Sequence, residues 1–156
     1  MTIYTECKAD TALLNAILSI PKRDIIHEIK GKFEVCKSLE RKKNSKGMID
    51  EDPATVQPVY LKKLVLKQDL PQLGLKRLYD QSKGNHVIVL CPRLEEWILR
   101  AAEESNIRVQ DYGLPNNPSS LHRLLEHEVD NFIKLVNGLK ESNRLKNLKR
   151  LLEGKR

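Results

Sequence analysis

The stretch Lys46-Gly47-Met48-Ile49-Asp50-Glu51-Asp52-Pro53 decides the fold: a short apolar run closes in three consecutive acids and is stopped by a proline. Near the N-terminus, Glu6 closes the run Ile3-Tyr4-Thr5 in the same way. Short β-branched runs ending in acids, about one helix-containing crossover apart, are how open parallel sheets gather carboxylates at their C-terminal edge. Asp50 and Asp52, two residues apart on an extended segment, are expected to point the same way because strand side chains alternate. Joined by Glu6 from a neighbouring strand, they make a compact oxygen-rich site suited to Mg²⁺ or Mn²⁺. The plain alternative is an exposed acidic turn closed by Pro53.

Outward from this stretch the elements alternate. Met1 to Glu6 reads as a first strand. Asp10 is placed to cap a helix over Thr11–Ser19, in which Leu13, Leu14, Ile17 and Leu18 recur at helical spacing before Pro21. Asp24–Ile29 reads as a second strand. Gly31 then opens a helix whose Phe33, Val35, Cys36 and Leu39 face inward, and Met48–Asp50 is the third strand. Strand, helix, strand, helix, strand in one sheet calls for right-handed parallel crossovers. Val59–Lys67 fits a strand or a short helix equally, and Leu75–Tyr79 a strand or a single turn. His86–Cys91 is almost wholly apolar and is expected at the centre of the sheet. Leu94–Glu104 follows as a helix, then a polar connector, a long amphipathic helix from Leu121 to about Gly138, and a last helix with Leu139, Leu145, Leu148, Leu151 and Leu152 on one side.

The length of 156 residues, 40% hydrophobic and 31% charged, suits one domain over residues 1–156, with a core over about 1–106 and a helical C-terminal extension over about 119–156. No apolar run is long enough to cross a bilayer and no signal-peptide pattern opens the chain, so a soluble, cytoplasmic protein with no membrane partner is expected. Cys7, Cys36 and Cys91 are too widely spaced for a zinc ribbon and odd in number, and read as small, partly buried residues. The net charge of +7 is concentrated in two places. Lys37, Arg41, Lys42, Lys43 and Lys46 run into the acidic stretch, while Lys140, Arg144, Lys146, Lys149, Arg150, Lys155 and Arg156 crowd the C-terminus. Basic ground beside an acidic pocket suits a nucleic acid held over a metal, with Lys8, Lys42, Lys43, Lys46, Lys146, Lys149 and Arg150 as candidate phosphate contacts. The alternative for each cluster is a solvated helix face.

The two strand ends resemble those of Toprim domains. Glu6-Cys7-Lys8-Ala9-Asp10 is similar to the first Toprim motif, in which a Glu-Gly pair closes strand one, and Met48-Ile49-Asp50-Glu51-Asp52 is similar to the Asp-x-Asp motif after strand three. Leu90-Cys91-Pro92 with Leu94-Glu95-Glu96-Trp97 resembles small stand-alone Toprim-like proteins. The resemblance covers the layout of roughly the first 100 residues and few identities. It implies a Toprim-like open, mostly parallel α/β sheet, with Glu6 a metal ligand or general acid/base and Asp50 and Asp52 the Mg²⁺ ligands. The chemistry it implies is metal-dependent phosphodiester handling on nucleic acid, as a nuclease; the alternative is a non-catalytic nucleic-acid-binding or adaptor module. Cys7 stands where the family has glycine, a residue that allows close approach.

The other acids and histidines carry weaker readings. Glu95 and Glu96 could add a carboxylate to the same edge, although acids are favoured in any helix's first turn. His27, His86, His122 and His127 share no ligand spacing and receive no chemistry. A phospho-receiver domain would need an acidic pair after strand one, and a haloacid-type phosphatase Asp-x-Asp after strand one. No G-x-x-x-x-G-K-[ST], G-x-S-x-G or H-E-x-x-H is present.

Overall fold

In the computed structural model, which describes residues 1–27 and 31–154, the chain folds around a six-stranded open sheet. The strands are β1 (Ile3–Thr5), β2 (Ile25–His27), β3 (Lys46–Asp50), β4 (Val65–Leu70), β5 (Leu75–Asp80) and β6 (Asn85–Leu90), in the spatial order β2-β1-β3-β6-β5-β4. β2, β1, β3 and β6 are parallel, and β5 and β4 add an antiparallel hairpin. The apolar β6 is internal, as its composition requires, with parallel β3 on one side and antiparallel β5 on the other.

Seven helices lie around this sheet among the described residues: α1 (Lys8–Ile17), α2 (Lys32–Glu40), α3 (Val59–Lys62), α4 (Leu94–Glu104), α5 (Pro118–Leu125), α6 (Asp130–Gly138) and α7 (Asn143–Glu153). Alternation along the strands sends residues to two cores. Ile3, Met48, Ile88, Leu90 and Leu75 pack under α1 and α4 to α7. Tyr4, Ile49, Val87 and Val89 pack on the other face against Val35, Cys36 and Leu39 of α2 and Tyr60 of α3. Gly47 permits this second layer to close: a Cβ there would lie 3.1 Å from Val35 and 3.0 Å from Leu39. The C-terminal helices are part of the main core, not an appendage, since Phe132, Leu135, Leu145 and Leu148 are buried in the cluster that holds Ile3 and Met48.

Several elements differ from the expectation. α1 begins at Lys8, capped by Cys7, so Asp10 is not its cap but sits inside its first turn. Phe33 faces solvent, 49% exposed, because α2 turns Val35, Cys36 and Leu39 to the sheet and Phe33 falls on the opposite side. The segment Val59–Lys67 is both things the periodicity allowed, α3 followed by the start of β4. The long helix from Leu121 is two, broken at 126–129, because α5 packs on α4 while Phe132, Leu135 and Val136 of α6 must turn to reach α1. Leu139 closes α6 instead of belonging to the last helix. Of the expected second strand, Ile25–His27 is formed, and Glu28 and Ile29 lie outside the described residues, as do Lys155 and Arg156 of the basic C-terminus. No helix among the described residues is long and apolar enough to cross a membrane.

Candidate functional site

β1 and β3 are neighbours whose following segments leave on opposite faces. The chain after β1 enters α1 over one core, and the chain after β3 leads to α3 over the other. The C-terminal ends of such a strand pair open a crevice, the usual ligand position in doubly wound sheets. Glu6 and Asp50 stand at those two ends.

Glu6 Oε2 accepts the backbone N–H of Asp50 at 2.5 Å. The same carboxylate lies at the N-terminus of α2, where a Cβ on Gly31 would come within 3.8 Å of Oε1. Burial raises the pKa of Glu6, against the lowering pull of the Asp50 N–H and the Lys32 ammonium, and Asp52 adds a further upward push. Asp50 Oδ1 accepts the N–H of Leu94 at 3.0 Å and so ties the end of β3 to the first turn of α4. Burial, then the charges of Asp10, Glu6 and Glu95, push Asp50 up to about 9. Asp10 is only 2% exposed, and its Oδ1 has no hydrogen-bond partner. Burial and then Glu6 push it up to about 8.

Glu95, His122 and Lys32, outside the expected ligand set, complete this neighbourhood. Glu95, in the first turn of α4, is 7% exposed, and its charge bears on both Asp10 and Asp50. Its Oε1 meets His122 Nδ1 at 2.7 Å, and His122 Nε2 meets Glu126 at 3.1 Å. A carboxylate at each ring nitrogen favours the protonated imidazole, whose pKa is raised chiefly by the bond to Glu95. Lys32 is buried and donates to the Glu51 carbonyl at 2.9 Å and Gln57 Oε1 at 3.1 Å, which places its positive charge beside Glu6.

Asp52 is not positioned by strand alternation. β3 ends at Asp50, and Asp52 takes a left-handed conformation, φ 47°, with its N–H on the Pro92 carbonyl and Oδ1 3.5 Å from Arg93. Glu51 turns to Lys76, 2.9 Å away. Among the described residues no three His, Cys, Asp or Glu side chains are arranged to hold a metal ion. Glu6, Asp50, Glu95 and Asp52 each commit an oxygen to a protein donor, and Asp10 Oδ1 alone among these carboxylates is a buried oxygen without one. The donor chemistry, carboxylate oxygens at one strand edge, fits a hard divalent cation.

Cys7 stands in extended backbone, φ −151° and ψ 171°, which does not need glycine. Its sulfur accepts the N–H of Asp10 at 3.5 Å and caps α1, and burial raises its thiol far above the ordinary range.

The basic candidates do not form one surface. Lys8 is exposed at the start of α1, beside Glu6 in the chain. Lys42 and Lys43 are exposed in the turn before β3, at the opposite end of that strand from Asp50. Basic and acidic residues adjacent in sequence are thus separated by a five-residue strand, roughly 16 Å. Lys46 is buried, with its ammonium on the Leu152 carbonyl at the end of α7, and is held inside the fold. Lys146 pairs with Glu141 at 3.3 Å and Lys149 with Glu153 at 3.9 Å, while Arg150 donates to Asn147 at 3.3 Å.

Compared with known proteins, the chain matches no family model, no curated protein and no solved structure. The open, mostly parallel α/β sheet therefore rests on the structure, and the Toprim resemblance remains one of sequence motifs.

Of the residues that sequence reasoning misses, Asp10 has a legible signal. It lies four residues after Glu6 and follows Ala9, so moving the helix start to Lys8 puts it on the buried side of the first turn. Glu95 reads from the sequence as a helix-dipole residue first and a site carboxylate second. His122 and Lys32 have no local signal, because their partners lie 27 residues away in the case of Glu95–His122 and 19 in that of Lys32–Glu51.

Proposed function

We propose that the protein is a Toprim-like, Mg²⁺- or Mn²⁺-dependent nuclease acting on the phosphodiester backbone of nucleic acid. The observation that supports this reading best is the burial of Asp10 and Asp50 beside Glu6 and Glu95 at the β1–β3 crevice, with Asp10 Oδ1 unpartnered. Carboxylates gathered in one buried place must share protons or take a cation. The raised values of Asp10 and Asp50 are the proton-bound solution, and a divalent ion is the other.

Asp50 and Asp52 are the proposed metal ligands, with Glu6 completing the set or moving a proton. When bound, the ion supplies Lewis acidity towards a phosphate oxygen and acidifies water. The chain's own groups do the rest. Leu94 N–H fixes the Asp50 carboxylate, Lys32 holds the Glu51 carbonyl and biases Glu6 towards its charged form, and His122 ties down one oxygen of Glu95.

A non-catalytic nucleic-acid-binding or adaptor role is the second reading. The pairing of Asp52 with Arg93 and the absence, among the described residues, of three converged ligands favour it. Thermal melting with Mg²⁺ or Mn²⁺, together with cleavage of a labelled oligonucleotide, separates the two. The nuclease predicts an ion-dependent rise in melting temperature, because a ligand of the folded state alone stabilises it by mass action. It also predicts cleavage, with both effects abolished in Asp50→Asn/Asp52→Asn. No shift at millimolar ion and no cleavage leave the adaptor.

A further inference from the structure

At the other end of β3 a cavity of about 820 Å³ lies between α7 and the β4–β5–β6 side of the sheet, lined by Lys46, Lys67, Arg77, Tyr79, His86 and Arg150 among others. Strand register explains why cations meet there. Lys46 of β3 is paired with His86 of β6, which is paired with Tyr79 of β5, so the first residue of β3, the second of β6 and the penultimate one of β5 fall in a row. Arg77 is two residues from Tyr79 on the same side of β5, and α7 lays Arg150 across the opening.

Among the described residues, none that lines the cavity is acidic and four carry a formal positive charge. Among the described residues, Lys46, Lys67, Arg77 and Arg150 make no ion pair, whereas Lys76, Arg93, Arg100 and Arg144 each have a carboxylate partner. Their donors rest on neutral groups instead. Arg77 Nε bonds Gln68 Oε1 at 2.7 Å, and its Nη1 meets His86 Nδ1 at 3.0 Å, which makes that nitrogen the acceptor of a neutral ring. Lys67 lies 5.8 Å over the Tyr79 ring, which stands 4.8 Å from His86. The cations also repel one another: burial first, then Arg77, lowers Lys46, against a weaker upward pull from Glu153, and burial, Arg77 and Lys46 lower His86. An anion in the cavity relieves that repulsion.

We propose that this cavity binds the oligophosphate group of a small ligand. Charge and size both bear on the class. One phosphate group carries about −1.5 to −2 charges, too few for four cations, so a di- or triphosphate is the match. The volume lies within the roughly 300–1,000 Å³ of small-molecule sites, which leaves room for an organic group beside the phosphates. Arg150 supplies a planar fork for phosphate oxygens, Arg77 the N–H donors that Gln68 and His86 leave free, and Lys67 a point charge, with the buried Lys46 adding its charge to the cavity. The site is separate from the acidic edge and goes beyond the nuclease reading, since it needs neither Glu6 nor Asp50.

The test is calorimetric titration with tripolyphosphate and with ATP, in EDTA, against NaCl of equal ionic strength. Both should bind wild type. Arg150→Gln/Lys67→Gln, which changes two exposed residues, should weaken binding by about tenfold or more, the scale of one charge-assisted hydrogen bond. Arg77→Gln should do the same, with its fold checked by circular dichroism. Asp50→Asn should bind as wild type does, so failure of the nuclease reading would leave this site standing. Tighter binding of ATP than of tripolyphosphate assigns the ligand to nucleotides, and the reverse order to the oligophosphate itself. Wild-type affinity in Arg150→Gln/Lys67→Gln, no binding of either probe above the salt control, or binding of an oligonucleotide alone overturns the proposal.

Discussion

Glu6 and Asp50 are joined by a hydrogen bond of 2.5 Å that runs from the backbone N–H of Asp50 to the side chain of Glu6. The carboxylate at the end of β1 thus completes the hydrogen bonding of β3 where the parallel ladder stops, and leaves the side chain of Asp50 to turn onto α4. One bond serves fold and site together. It holds two neighbouring strand ends at the crevice and brings a second acid beside Asp10 and Glu95.

The first prediction concerns pH. Glu6, Asp10 and Asp50 are all raised from the ordinary carboxylate range, Asp10 and Asp50 well beyond it, with burial the largest cause in each. Between that range and about 8 to 9 the folded state holds more protons than the unfolded chain. Their stabilising effect is therefore fully present at low pH and is lost as pH rises through the folded values. Urea midpoints in EDTA should fall from pH 5 to pH 9, and Asp50→Asn should flatten the decline. A midpoint that rises over the same interval would sink the assignment of a proton-sharing cluster.

The second prediction concerns the layer behind the site. Gly47 is buried in β3 with Leu39 and Val35 of α2 against it, so Gly47→Ala forces a methyl group to within 3.0 Å of Leu39. Overpacking of this kind costs about 1–3 kcal/mol. A denaturant midpoint equal to wild type would show that α2 yields freely.

How much of this is legible in the sequence follows from the range of each interaction. The strand ends are readable because Ile3–Thr5 and Met48–Asp50 are apolar runs closed by acids, and β6 because it is apolar throughout. The hairpin β4–β5 is half legible, since Val65–Leu70 is largely exposed at the sheet edge and carries little alternation. The start of α1 is misread because Asp10 looks like a cap, whereas a sulfur, Cys7 Sγ, does the capping. The break between α5 and α6 follows from where α1 and α4 stand, which no local pattern encodes. The same holds for the basic stretch before β3: residues beside the acids in sequence are carried to the far edge of the sheet by the strand between them.

The third prediction uses that separation. A nucleic acid lying on the acidic edge should feel Lys8 and Arg93, which are exposed beside Glu6 and Asp52, more than Lys42 and Lys43. Removing one cation that neutralises a phosphate reduces the slope of log affinity against log salt by about 0.7–0.9. Lys8→Glu should therefore flatten the slope for an oligonucleotide, and Lys42→Glu/Lys43→Glu should change it less. The opposite order would move the nucleic acid to the other edge.

The last prediction turns on Glu6. Replacing it by Gln keeps the shape and keeps an oxygen that can accept the Asp50 N–H, so the β1–β3 connection and the fold should survive. The negative charge and the titrating proton disappear. In metal-assisted phosphodiester cleavage Glu6 either completes the ligand set or transfers a proton, and general acid–base catalysis is worth about 10²–10⁴-fold in rate. Glu6→Gln should therefore reduce Mg²⁺-dependent cleavage of a labelled oligonucleotide by that order while salt-sensitive binding stays near the wild-type value. Because Glu6 also raises Asp10 and Asp50 through its charge, the same variant should lower both of their pKa values, which ¹³C-detected carboxylate titration can follow. Lowered values with unchanged cleavage would keep Glu6 in the electrostatic cluster and remove it from the chemistry.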